Sequence, residues 1–251
     1  MTTSATVTTS STITASATVT VDTNTYSVTA GAGAAFAGDA VTGGTLSATL
    51  SAGQALEIRV EAPPGARVQV EKQLDGSRAI LVDGVFAGGL GAPAGGITSG
   101  GIESSEATAG NALTIRFWPR DAAGATAGRV RVTIPVGRDA AKSARWGEAE
   151  GGRSLAVTPT AWGRAGGMTV MAYGWPSVVA LAPDVDTGAD PAANTGTSAD
   201  ADADAEGIRD SMRKQFRCHA LGAPDKATWN LEPWRPNVSF AEFVATRCNP
   251  S

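Results

Sequence analysis

The chain has 251 residues, 42% hydrophobic and 18% charged, with 31 Gly, 13 Pro, 6 Trp, 2 Cys and 1 His and a formal net charge of −4. That length gives one large or two small domains that can bury a core without a metal, while the Gly and Pro content excludes long helical bundles and coiled coils. The acidic balance and the lack of any basic stripe exclude a nucleic-acid partner, which requires clustered Lys and Arg.

Residues 1–17 form a Ser/Thr-rich lead whose apolar residues, Val7 and Ile13, are too irregularly spaced to set a register. From Thr18 the alternation sharpens through Val19 and Val21, and it resumes at Tyr26 and Val28 beyond Asp22-Thr23-Asn24, which predicts a hairpin. Gly31 to Gly44 is small-residue and flexible in character. Period-two segments then recur at Leu56-Ile58-Val60, Val68-Val70, Ala79–Val82, Leu113-Ile115-Phe117 and Val130-Val132-Ile134, with Pro63-Pro64-Gly65 and Asp75-Gly76 as turns. Residues 18–137 therefore read as an antiparallel β-sandwich-like domain with one solvated face, interrupted by a long loop at 88–101.

Residues 138–152 read as a linker, and 153–251 as a small α+β domain. Within it, Leu155–Trp162 and Met168–Tyr173 read as a β pair, and Asp184–Glu206 as a solvated, self-repelling acidic loop. An EF-hand starting at Asp200 would need Gly at 205 and Glu at 211, where Ala205 and Ser211 stand, so calcium is not expected. Ile208, Met212, Phe216 and His219 follow a helical stripe. Ser239 and Glu242 form a capping box that opens a second helix, with Phe240, Phe243, Val244 and Cys248 on one face. The fold class expected is mainly β: a sandwich followed by an α+β domain with two C-terminal helices.

The motifs narrow the chemistry. One histidine cannot build the two-His or three-His zinc sites. No G-x-S-x-G elbow, Walker loop or complete G-x-G-x-x-G occurs, since Gly31-Ala-Gly33-Ala-Ala-Phe36 fails at its last position. No metal or cofactor is expected. Glycosidase chemistry needs only two carboxylates and survives this filter. No basic n-region with an apolar h-region opens the chain, so either the protein is cytoplasmic or a secretory signal has been removed. No run approaches the roughly 18 apolar residues of a membrane span.

Cys218 and Cys248 are compatible with two buried thiols. Helical phasing favours a disulfide, and with it an exported protein. Bridging them closes a loop of about 30 residues, worth roughly 3–4 kcal/mol in the loop-entropy account.

The run Met212-Arg-Lys-Gln-Phe-Arg-Cys218-His219-Ala-Leu-Gly-Ala223, then Lys226, Trp229-Asn-Leu-Glu232, Arg235-Pro-Asn237 and Cys248-Asn249, resembles an exported, chiefly actinobacterial family, domain of unknown function 2599. Gly174-Trp175 fits the same pattern, and Asp83–Pro93 looks like the β-rich region that often precedes the domain. The resemblance implies export and an oxidised cystine. It implies no activity and carries over no catalytic residue.

Trp229, Trp234 and Arg235 are the candidate ligand-binding residues. If exposed, two indoles and a guanidinium would form a stacking platform for sugar rings or another protein chain; the plainer reading is that they fill the gap between helices and sheet, with Arg235 paired to Glu232. His219 reads as a hydrogen-bonded core imidazole. The expected function is that of an exported cell-envelope or extracellular binding or structural protein, partnered by wall polysaccharide or a surface protein. The alternatives are a wall hydrolase that uses a carboxylate pair and a secreted toxin or effector.

Overall fold

Strict alternation decides the architecture of the N-terminal unit. Along Leu56–Glu61 every second residue is buried and its neighbours are exposed, the pattern of a sheet with one wet face. The computed structural model describes residues 7–10, 14–21, 24–30, 35–39, 41–50, 54–95, 102–119, 129–186 and 199–251. The chain divides into two units, 1–138 and 139–251.

In the first unit one six-stranded sheet runs in the order β1 (Val7–Ser10), β2 (Thr14–Val21), β3 (Asn24–Ala30), β6 (Leu56–Glu61), β11 (Ala112–Pro119) and β10 (Ile102–Ala109). The other runs β4 (Ala35–Asp39), β5 (Gly43–Leu50), β12 (Val130–Gly137), β9 (Val85–Leu90), β8 (Arg78–Val82) and β7 (Val68–Lys72). Every pairing is antiparallel. Leu46, Leu50, Ile80, Leu90, Val132 and Ile134 of the second sheet share one core with Leu56, Ile58, Val60, Leu113, Ile115 and Phe117 of the first, so the unit is a β-sandwich.

Among the described residues, one charged side chain is fully buried in it. Arg78 of β8 is 1% exposed and reaches the other sheet, where its Nε donates to Glu106 at 2.8 Å and its Nη2 to the Ser104 hydroxyl. Its guanidinium lies 4.9 Å from the centre of the Phe117 ring.

The expected hairpin is present as β2 and β3, with Val21 opposite Asn24. The lead is not separate from the sandwich: residues 7–10 and 14–17 pair as β1 and β2, since Thr and Val suit a pleated backbone even without a clean apolar period. Likewise β4 occupies part of the small-residue stretch 31–44. Of the expected 88–101 loop, residues 88–90 end β9 instead, and residues 96–101 lie outside the described residues.

The second unit begins with a strand where a linker is expected. β13 (Ala141–Ala149) pairs with β14 (Gly152–Pro159), and β14 pairs with the short β15 (Trp229–Leu231). The hairpin tip is Glu150-Gly151, at φ +50° and +86°; two left-handed residues make the turn whose twist matches paired strands. Of the expected second β pair, Leu155–Pro159 is strand, as the end of β14, but Met168–Tyr173 is not: three short helices, α1 (Ala161–Ala165), α2 (Met168–Tyr173) and α3 (Trp175–Leu181), follow β14. Short apolar runs do not separate strand from buried helix. The local signals that decide are the Thr160 hydroxyl, which accepts from the Gly163 amide at 2.9 Å, and Pro176 in the first turn of α3.

The acidic stretch is likewise corrected over its last part, because α4 (Ala199–Gly222) begins inside it. Alternating Ala residues supply helix propensity, and carboxylates suit a helix N-terminus. Ser239 caps α5 (Phe240–Ala245) by accepting from the Glu242 amide at 3.2 Å. That helix ends before Cys248, which sits at φ +71° rather than on a helical face. Cys218 and Cys248 form a disulfide with sulfurs 2.03 Å apart and pack with Phe243 in a small core of their own.

Candidate functional site

The main core of the second unit is aromatic and tightly filled. Phe216 of α4 meets the edges of Trp175 and Trp229, with ring centres 5.9 and 5.6 Å away. Gly174 precedes Trp175 because nothing larger fits: a Cβ there would lie 2.6 Å from the Val170 carbonyl oxygen and 2.9 Å from Phe216 Cζ. Alternation along β15 sends Trp229 and Leu231 into this core and leaves Asn230 on the opposite face.

That opposite face is organised by a polar stripe on α4. Ser211, Gln215 and His219 recur at every fourth residue, so they share one side of the helix, and all three are buried. The Ser211 hydroxyl donates to the Arg235 carbonyl at 3.1 Å. Gln215 brackets the Glu232 backbone, donating from Nε2 to its carbonyl and accepting its amide at Oε1, both at 2.8 Å. His219 Nε2 lies 3.0 Å from the Asn230 carbonyl oxygen. Three side chains thus act as a substitute strand for residues 230–235, satisfying backbone groups that would otherwise be buried unpaired.

Arg235 closes the arrangement. It is buried, and its Nε donates to the equally buried Glu232 at 2.7 Å. Its Nη1 donates to the Pro250 carbonyl at 3.0 Å, and its Nη2 pairs with Glu150 at the hairpin tip. The Ser154 hydroxyl donates to the other oxygen of Glu232 at 3.4 Å. One guanidinium therefore joins the first hairpin, the β15 loop and the residues after the cystine. The fixed fork of Arg suits this role and a lysine would not.

Beside this network lies a pocket of about 300 Å³, lined by Glu150, His219, Lys226, Thr228, Asn230, Glu232 and Asn249 together with Ala227. Burial pushes the His219 imidazole down to about 4; the hydrogen bond to Asn230 opposes this, and the nearby charges of Lys226 and Arg235 add to it. The neutral ring donates from Nε2 to Asn230, which leaves Nδ1 a buried acceptor with no partner. Among the described residues no cluster of His, Cys, Asp and Glu is arranged to hold a metal ion. No helix among them is long and apolar enough to cross a membrane.

Of the three residues expected to form a platform, the structure leaves one at the surface. Trp229 is fully buried, and its Nε1 donates to the Ala223 carbonyl at 3.0 Å. Arg235 is buried in its ion pairs. Trp234 is 45% exposed, stacks on the Arg235 guanidinium at 4.5 Å and covers Gly152. Sequence spacing does not single out Glu150, Thr228 or Ser154. Lys226, Asn230 and Asn249 stand in the motif run without an assigned role, and the stripe of Ser211, Gln215 and His219 is obscured in the sequence by Met212 and Phe216 beside it.

The geometry defines a small disulfide-bonded α+β domain built round a buried arginine. Residues 141–251 match the model of the family described as protein of unknown function (DUF2599), the family that the motif run resembles. An uncharacterized protein of Mycobacterium tuberculosis (strain ATCC 25618 / H37Rv) is 35% identical over 115 residues, 43% of this chain and 61% of that protein. An uncharacterized protein of Mycobacterium leprae (strain TN) is 39% identical over 80 residues, 30% of this chain and 47% of that protein. The chain spans at most 61% of the length of these relatives.

Proposed function

We propose that the protein is an exported cell-envelope or extracellular binding protein, and that the pocket between β15, the end of α4 and Asn249 is its ligand site. The observation that carries this reading is the pocket lining: hydroxyl, amide, carboxylate and ammonium groups converge there beside a buried imidazole nitrogen that has no partner. Such a lining recognises a small polar group such as a segment of wall polysaccharide. Export is supported by the Cys218–Cys248 bridge, which persists in oxidising compartments.

A binding role is favoured over hydrolysis by how the reactive groups are used. Glu150 and Glu232 are the carboxylates of the pocket, and each accepts from Arg235. A general base suited to neutral pH has a pKa near 7, whereas the His219 imidazole lies at about 4.

The test is incubation of the oxidised protein with purified bacterial wall sacculi, followed by assay of the pellet for protein and of the supernatant for released fragments. Retention without fragments is expected, and it should weaken in Asn249→Ala and Lys226→Ala proteins that melt like the parent. Released fragments would replace this reading with the hydrolase. Absence of both would refute the wall as ligand.

A further inference from the structure

The outer face of the first sheet of the sandwich carries a second pocket. In β11, Leu113, Ile115 and Phe117 point into the core, so Arg116 and Trp118 fall on the solvent side. Register places Arg116 between Glu57 of β6 and Ser105 of β10. Here a pocket of about 330 Å³ is lined by Gln54, Ala55, Ser105, Arg116, Trp118 and Pro119.

Its chemistry is two-sided. Trp118 and Pro119 provide an apolar wall, while Gln54, Ser105 and Arg116 provide an amide, a hydroxyl and a guanidinium at its border. Arg116 Nη2 is held by Glu57 Oε1 at 2.6 Å. A guanidinium has five N–H donors, so this anchor orients it and leaves donors for a ligand. On the neighbouring strand Arg59 is paired with Glu61 at 2.6 Å. Among the described side chains of this face, Arg116 and Arg59 are thus each paired with a glutamate. A flat aromatic wall with hydroxyl-recognising groups at its edge matches one chemistry closely: a pyranose ring, whose C–H face stacks on an indole and whose edge hydroxyls need donors and acceptors.

We propose that this pocket is a carbohydrate subsite, taking a neutral sugar ring of a polysaccharide against Trp118. It is independent of the C-terminal pocket: neither its residues nor its argument depends on the binding role given to that site.

The experiment uses the full oxidised chain in pull-down with chitin, cellulose and bacterial sacculi. It compares the parent with Trp118→Ala, Trp118→Phe, Arg116→Ala and Asn249→Ala, each first shown to melt like the parent. Retention on at least one glycan is expected. Trp118→Ala should lower that affinity roughly tenfold, the scale of a lost aromatic contact together with its buried area, and Trp118→Phe should recover most of it. Should Trp118→Ala fail to fold, Arg116→Ala carries the comparison, with a smaller loss of about threefold expected from one hydrogen bond.

Loss in Trp118→Ala but not in Asn249→Ala supports this subsite alone, and loss only in Asn249→Ala overturns it while leaving the C-terminal reading intact. Retention on none of the three glycans also overturns it. So does retention that survives periodate cleavage of sugar diols but is lost after protease treatment of the sacculi, which would mean that the partner is a protein.

Discussion

Removing Arg235 should unfold the C-terminal unit more readily than any surface change. The side chain is 5% exposed and its partner Glu232 is 1% exposed, so Arg235→Ala leaves a carboxylate buried with the Ser154 hydroxyl as its remaining side-chain donor. Breaking a buried pair from one side costs about 3–5 kcal/mol, mostly because the other charge stays behind uncompensated. The hydrogen bond to the Pro250 carbonyl is lost as well, so the upper half of that range is expected. Replacing both partners with apolar residues, Arg235→Met with Glu232→Leu, removes the stranded charge and should recover more than half of the loss. The assay is urea denaturation of the oxidised protein, with each variant compared at the same slope. A cost below about 1 kcal/mol for Arg235→Ala, or a double variant that merely adds the single losses, would refute the assignment of this pair as the core of the unit.

Three more outcomes can be checked. Because the folded His219 has its pKa at about 4 against an unfolded 6.5, the unfolded state binds more protons between these values, and stability should fall as pH drops from 6.5 through 4, by about 3 kcal/mol in full; His219→Gln should flatten that slope in thermal melts run across the window. Reducing Cys218–Cys248, which closes a 30-residue separation, should cost about 3–4 kcal/mol of unfolding free energy, measured with and without reductant. In the sandwich, Arg78→Met should cost about 1.5–3 kcal/mol, since it deletes charge-assisted hydrogen bonds to the facing sheet while the stem volume over Phe117 is kept; an unchanged denaturation midpoint would mean that the inter-sheet contact contributes nothing.

Much of the sandwich is legible in the sequence because its strands obey one rule. Leu56-Ile58-Val60 and Leu113-Ile115-Phe117 alternate, and alternation alone names both the element and its buried face. β4 is hidden because Ala and Gly carry little hydrophobic signal, and the 138–152 region reads as a joint because Gly147, Gly151 and Gly152 outweigh its alternation. Glu150-Gly151 is in fact a hairpin tip, and Glu150 there is tied to Arg235, a partner 85 residues away that no local pattern can reveal. Arg235 with Glu232 is legible, three residues apart. The disulfide is legible, but the conformation of Cys248 is not, since its positive φ follows from the turn that ends α5. The polar stripe at Ser211, Gln215 and His219 hides behind Met212 and Phe216, which make the helix look uniformly apolar on its inner side.

The cystine has a topological effect as well as an energetic one. Lys226, exposed between α4 and β15, lies inside the ring that Cys218 and Cys248 close. A trypsin-like enzyme that cuts after Lys226 breaks the chain without dividing the molecule. The piece carrying Asn230, Glu232, Arg235 and Asn249 remains covalently attached through the sulfurs and held by the same contacts to α4. A protein nicked there migrates as one species on a non-reducing gel and as two after reduction. A break in the backbone at the rim of the pocket therefore leaves the molecule covalently whole.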